Sequence, residues 1–239
     1  RSSAASDVYK RQEHMIAENL HKIEQEIQES CALVSRKPQE ITMVAVTKSV
    51  DSKTANELVE LGVSDLAENR VDKLLEKKQS LSQHQQIKWH LIGNLQRRKV
   101  KLIINEIDYF HALDSLRLAQ EIQKRAEHQI KCFIEVNVSG EESKHGIKPD
   151  ELNSFINELE GLDKIHVIGL MTMAPYEASQ QEVQTIFSTL KKLQESVKEQ
   201  NLRYAPCIEL SMGMSQDFKT AIEEGATFVR IGTALFRKG

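Results

Sequence analysis

Eight short β-branched or apolar runs, each separated from the next by a helix-like segment, constrain this chain more than any other feature. The runs span residues 41–48, 65–69, 88–93, 109–113, 131–138, 165–173, 208–212 and 227–236. Alternation of this kind builds parallel β-α units. An open doubly wound sheet and a closed barrel both satisfy it. The count of eight favours the barrel, so the expected fold is α/β: a single (β/α)8 TIM barrel over residues 15–239. An extra N-terminal helix should precede it. Ile16, Leu20, Ile23, Ile27, Cys31 and Val34 recur at spacings of three and four, which makes one apolar stripe. Lys37-Pro38 closes that helix, because the residue before a proline is pushed out of the α region.

Punctuation supports the same reading. Asp51 or Ser52 can cap a helix ending near Gly62, and Asp114 or Ser115 can cap another. A basic helix is expected from Asn94, one over 149–160 and a long one over 179–200. A short one over 215–224 would take Ser215 as its N-cap. The first 14 residues are set aside. They lack the apolar core of a signal peptide, and Asp7-Val-Tyr-Lys-Arg-Gln12 reads like a translated adapter, so a non-native tail is expected, with Met15 as the start.

Composition narrows the function classes. With 239 residues, 40% hydrophobic and a net charge of -3, the chain can bury one large core. No 18-residue apolar stretch occurs, which excludes a membrane-spanning helix. Three cysteines without a C-x-x-C pair, and histidines without an H-x-x-x-H pair, argue against a disulfide framework or a metal site and fit a reducing cytoplasm. The run Arg97-Arg98-Lys99-Val-Lys101 is basic. The acidic balance and 5% aromatics offer no stacking platform, so it reads as a solvated helix face and no nucleic-acid partner is expected.

Barrels of this class gather chemistry at the C-terminal ends of their strands. Lys48 ends the first run, after Met43-Val-Ala-Val-Thr47. A lysine at an apolar mouth should be partly desolvated, which favours the neutral amine that attacks an aldehyde; the same position also suits a lysine that only snorkels to solvent. Ser211-Met-Gly-Met-Ser215 turns from strand to helix, and Arg230-Ile-Gly-Thr233 adds a glycine and a hydroxyl from the next strand. Together they suggest a phosphate site after strands seven and eight, although each glycine could serve only a turn. Lysine plus phosphate site implies a phosphorylated aldehyde, either a cofactor or a sugar-phosphate substrate of a class I aldolase.

Seven segments in order carry a resemblance: Val44-Ala-Val-Thr-Lys48, Glu68-Asn69, Trp89-His-Leu-Ile-Gly-Asn-Leu-Gln96, Val136-Asn-Val-Ser-Gly-Glu-Glu-Ser-Lys144, Gly169-Leu-Met-Thr-Met173, Leu210-Ser-Met-Gly-Met-Ser215 and Arg230-Ile-Gly-Thr-Ala234. Over residues 15–236 the chain resembles the pyridoxal phosphate homeostasis proteins, the YggS/PROSC-like family. That resemblance implies a barrel like the N-terminal domain of alanine racemase, with pyridoxal 5′-phosphate held on Lys48 as a Schiff base. It places Ser211, Gly232 and Thr233, with Met212 or Gly213 backbone, at the phosphate. Arg230 would stand at the ring nitrogen and Asn69 near the ring, with His90, Asn94 and Met171 lining the mouth. One departure is Arg237, where the family commonly has glycine after the last phenylalanine.

An arginine at the ring nitrogen cannot accept a proton, so carbanion chemistry would be poorly supported. Alanine racemases also need a tyrosine base from a second domain, and racemisation needs two placed acid–base groups. The expectation is therefore a carrier without catalysis, monomeric and cytoplasmic, delivering the cofactor to apo-enzymes. The competing reading is a racemase or lyase on the same Schiff base, with His90, His111 or His145 as the second group. Lys144, in the polar loop 139–146, could cover the cofactor or act as a secondary aldehyde acceptor; a solvated loop is the plain alternative.

Overall fold

The computed structural model describes residues 3–142 and 145–238, so Lys144 lies outside the described residues. Helix α1 (Ala4–Leu33) leads into β1 (Thr42–Val46), α2 (Ser52–Glu60), β2 (Asp65–Glu68) and α3 (Val71–Ser80). Then come β3 (Lys88–Leu91), α4 (Val100–Ile103), β4 (Tyr109–Leu113), α5 (Leu116–Arg125), β5 (Ile130–Glu135) and α6 (Leu152–Glu158). The chain ends with β6 (Ile165–Met171), α7 (Gln180–Lys198), β7 (Glu209–Ser211), α8 (Phe218–Glu223), β8 (Phe228–Ile231) and α9 (Thr233–Phe236). The strands are parallel and close in sequence order, β8 pairing with β1 through Thr42↔Phe228 and Val44↔Arg230. This is the (β/α)8 barrel read from the alternation. Among the described residues, no helix is long and apolar enough to cross a membrane.

Local chemistry explains most element ends. Asp51, Ser115 and Ser179 accept the backbone N–H three residues on, capping α2, α5 and α7. Gly62, at φ +100, stops α2. Gly169 answers a different need. A Cβ there would lie 2.1 Å from the Glu209 carbonyl, so only glycine lets β7 approach β6 this closely.

Four expectations are corrected. Helix α1 starts at Ala4, capped by Ser3, because residues 4–14 contain neither Gly nor Pro; Gln12 Nε2 donates to Thr54 Oγ1 at 2.9 Å. The basic helix after β3 is short, Val100–Ile103, flanked by 3₁₀ turns. The eighth strand stops at Ile231, and the expected remainder coils into α9. Ser215 caps no helix: α8 begins at Phe218, and Asp217 Oδ1 accepts the Met214 N–H at 2.7 Å.

Candidate functional site

The C-terminal ends of the strands enclose a cavity of about 580 Å3, within the range of small-ligand sites. Its wall includes Lys48 beyond β1, Asn69 beyond β2, Asn94 beyond β3, Glu135 closing β5, and Arg230, Gly232 and Thr233 of the β8 end. Six of the residues singled out from sequence thus share one space: Lys48, Asn69, Asn94, Arg230, Gly232 and Thr233. Lys48 is exposed at the edge of this cavity, not partly buried as expected, because β1 ends at Val46 and Thr47 is the last buried residue.

The end of β1 is fixed from beneath. Thr47 Oγ1 donates to Glu68 Oε2 at 2.5 Å, and Lys77 Nζ reaches the same oxygen at 2.6 Å while also donating to the Thr47 carbonyl. Glu68 is fully buried and Lys77 nearly so. This buried ion pair joins β1, β2 and α3 one residue before Lys48.

Five residues expected at the site lie elsewhere. Ser211 is buried inside the barrel, where its hydroxyl meets the Arg230 guanidinium and His111 Nδ1. Met212 is buried and donates its N–H to the Phe228 carbonyl, and the Gly213 carbonyl accepts the Arg230 N–H, so both serve the β7–β8 junction. Gly213 is required by φ +104 and by α8, since a Cβ would stand 2.6 Å from the Ala221 Cβ. His90 points into the barrel, with Nε2 2.8 Å from Asp65 at the start of β2, and stacks on Tyr109 at 4.4 Å. Met171 is buried, and Met173, two residues on, lines the cavity in its place. Position along the chain decides this last case: Met171 is the last residue of β6, and Met173 stands two residues beyond it at the mouth.

The interior residues form a continuous chain. Burial lowers the His90 pKa and holds the His111 pKa well below the usual range, so both imidazoles are neutral. Neutral rings order the donors: Arg230 to Ser211, Ser211 to His111, His111 Nε2 to His90 Nδ1 at 2.9 Å, and His90 to Asp65. Arg230 also donates to the Thr172 carbonyl at 3.1 Å. Burial pulls its pKa down to about 10, opposed by Asp217 and Glu135, so the guanidinium is charged at neutral pH. This chain fixes the arginine that reaches the cavity.

Sequence reading underrated Ser215, Glu135 and His145, all of which line the cavity. The Ser215 hydroxyl oxygen accepts the N–H of Ala234 at 3.0 Å and of Gly232 at 3.4 Å. One hydroxyl and two backbone N–H groups from adjacent strand ends therefore converge as a potential anion cradle, with Thr233 beside them; here the N–H groups donate to the Ser215 oxygen, whose own proton is left for a further acceptor. The usable signal was position: Ser215 follows the seventh run as Thr233 follows the eighth. His145 Nε2 lies 2.7 Å from Asn94 Nδ2 across the mouth. Tyr176 is 82% exposed, and Tyr109 opens β4 at the far end of the barrel.

Comparison with known proteins adds the family context. Residues 16–238 match the family described as alanine racemase, N-terminal domain. The chain is similar to a pyridoxal phosphate homeostasis protein of Aquifex aeolicus (strain VF5), 38% identical over 222 residues, covering 92% of this chain and 96% of the relative. It is also similar to PipY of Synechococcus elongatus PCC7942, solved with PLP bound: TM-score 0.80 and 29% identity, over 93% of this chain and 100% of that one. An alanine racemase of Clostridium difficile 630 shares the fold at TM-score 0.74 and 18% identity, with 57% of its length covered.

Proposed function

Because the chain belongs to the alanine racemase N-terminal-domain family and, within it, to the pyridoxal phosphate homeostasis proteins, we propose that it holds pyridoxal 5′-phosphate as a Schiff base on Lys48 and serves the storage and delivery of that cofactor. The observation that carries this reading is the cavity itself, which joins Lys48, a buried arginine and an anion cradle in one space. The residues fit the group. The Ser215 hydroxyl, with two backbone N–H groups that a phosphate would take over from the Ser215 oxygen, suits a phosphate, a charged arginine suits an unprotonated ring nitrogen, and a lysine suits an aldehyde. When bound, the cofactor supplies an aldehyde carbon that a primary amine can capture.

The protein's own groups have separate tasks. Lys48 provides the amine at the cavity edge. Ser215, Gly232, Ala234 and Thr233 hold the phosphate, a set that replaces Ser211, Met212 and Gly213. Arg230, fixed by Ser211 and the Thr172 carbonyl, faces the ring nitrogen and has no proton site to offer it, which disfavours carbanion chemistry. Asn69 and Asn94 border the ring. Neither Tyr109 nor Tyr176 stands where a second base would be needed. The arginine at the ring nitrogen favours carriage over catalysis, in the cytoplasm, by a monomer that supplies apo-enzymes. Residues 1–14 are proposed to lie outside this functional unit, residues 15–239.

The test begins with purified protein incubated with the cofactor. A visible-range absorbance band that borohydride removes, with the pyridoxyl group found on the Lys48 peptide, is the expected result; no such band would end the proposal. Sustained turnover of an amino acid by the loaded protein would reassign it as an enzyme. Ser215→Ala is expected to weaken cofactor binding roughly tenfold or more, about 1.5 kcal/mol for one hydrogen bond to a charged group. A fluorescence titration measures this, and unchanged affinity would remove Ser215 from the cradle.

A further inference from the structure

Glu135 is the one carboxyl among the described residues that line the cavity, and the cofactor assignment has no use for it. It closes β5, four strands from β1 in either direction around the closed barrel, and so lies across the mouth from Lys48. It is only 8% exposed, yet its carboxyl makes no hydrogen bond or ion pair among the described residues and lines the cavity. Its oxygens open to the cavity instead of being sealed in the core, so a ligand that enters can meet them, and a carboxyl in so desolvated a place gains from a partner that brings N–H donors. Burial first, and the nearby Asp114 charge second, push its pKa up to about 7 against the pull of Arg230. Asp114, at the end of β4, is itself raised by burial. The other charged or titratable groups on the wall are Lys48 after β1, His145 after β5, Arg230 from β8 and Arg237 after α9, with the polar Ser49, Asn69, Asn94, Ser215, Gln216 and Thr233 between them.

The basic groups and the cradle account for aldehyde, ring and phosphate along β1, β7 and β8. The acidic side opposite needs a ligand that brings N–H donors and positive charge. We propose that Glu135 receives the ammonium group of an incoming primary amine, such as a free amino acid, and takes its proton, so that amine entry displaces the cofactor from Lys48. This rests on the Schiff-base reading above. The step balances without a redox partner. The ammonium proton passes to the Glu135 carboxylate, and the neutral nitrogen bonds to the carbon held by Lys48. The protons of the entering nitrogen that the new carbon–nitrogen double bond cannot keep pass to Lys48 Nζ as the bond from that carbon to Nζ breaks, and Glu135 releases the proton it took to solvent. The cofactor then leaves joined to the amine. A carboxyl that titrates near neutrality suits both halves of such an exchange.

The experiment compares wild type with Glu135→Gln and Glu135→Asp, each loaded with pyridoxal phosphate to equal occupancy and mixed with excess L-alanine or methylamine at neutral pH. Decay of the visible band and cofactor recovered in a filtrate give the release rate. Loss of the carboxylate should slow amine-driven release on the order of a hundredfold, with partial rescue by aspartate. The Glu135→Gln thermal midpoint should be no lower than that of wild type. Equal rates for wild type and Glu135→Gln overturn the proposal. So does failure of Glu135→Gln to load, which would assign the carboxyl to the cofactor itself. If wild type carries no borohydride-fixed cofactor on Lys48, the Schiff-base reading fails first, and the two failures are told apart.

Discussion

Replacing Lys48 with alanine is expected to abolish the visible-range band and leave no cofactor fixed by borohydride. Lys48 is the only lysine among the described residues that line the cavity; the other cations there are Arg230 and Arg237. A guanidinium cannot act as the attacking amine at neutral pH. Covalent capture is therefore lost, and only the cradle and Arg230 remain to hold the cofactor. Affinity should fall on the order of a hundredfold, about 2.7 kcal/mol, measured by titration and filtration. Lys48→Arg separates chemistry from charge. It keeps the positive charge at the cavity edge and should still lose the band completely. A band that survives in Lys48→Arg would mean that another amine captures the cofactor.

The second large effect is on stability and begins beneath the site. Lys77→Met keeps the apolar stem but strips Glu68 of its partner in a fully buried position. Glu68 Oε1 already finds no hydrogen bond among the described residues, so the carboxylate would be left with Thr47 alone. Breaking a buried pair from one side costs about 3–5 kcal/mol, which for a domain of this length lowers the thermal midpoint by on the order of 10 °C. The double variant Lys77→Met/Glu68→Gln should recover part of that loss, because it removes the stranded charge. A Lys77→Met midpoint within a degree or two of wild type would show that the pair stabilises little. Since Lys77 also binds the Thr47 carbonyl, the single variant should loosen Lys48 and weaken cofactor capture as well.

Much of the fold was legible because its signals are local. Each strand run carries its own β-branched pattern, and caps such as Asp51, Ser115 and Ser179 act within one turn of the residues they bind. The miss at the chain's end has a local cause too: Thr233–Phe236 is short and apolar, and a four-residue apolar segment reads equally well as strand or helix. The site was legible only in part. Position at a strand end singles out Lys48, Asn69, Asn94, Arg230, Gly232 and Thr233, which share one cavity in the structure. It could not say how deep His90, Ser211 or Met171 lies, because only where each strand ends decides whether a residue stands at the mouth or below it in the barrel.

By itself, then, the sequence determined the eight β-α units, their closure into a barrel and the lysine and arginine that mark one end of it. Periodicity and strand-end position are properties of neighbouring residues, and they survive being read in one dimension. Only the tertiary structure decided the rest. It turned Ser211, His111 and His90 inward as a hydrogen-bonded chain behind Arg230, gave the cradle to Ser215, and left Glu135 without a partner across from Lys48. These outcomes depend on which side chains meet from strands 20 to 100 residues apart, and on how little water reaches them once the barrel has closed.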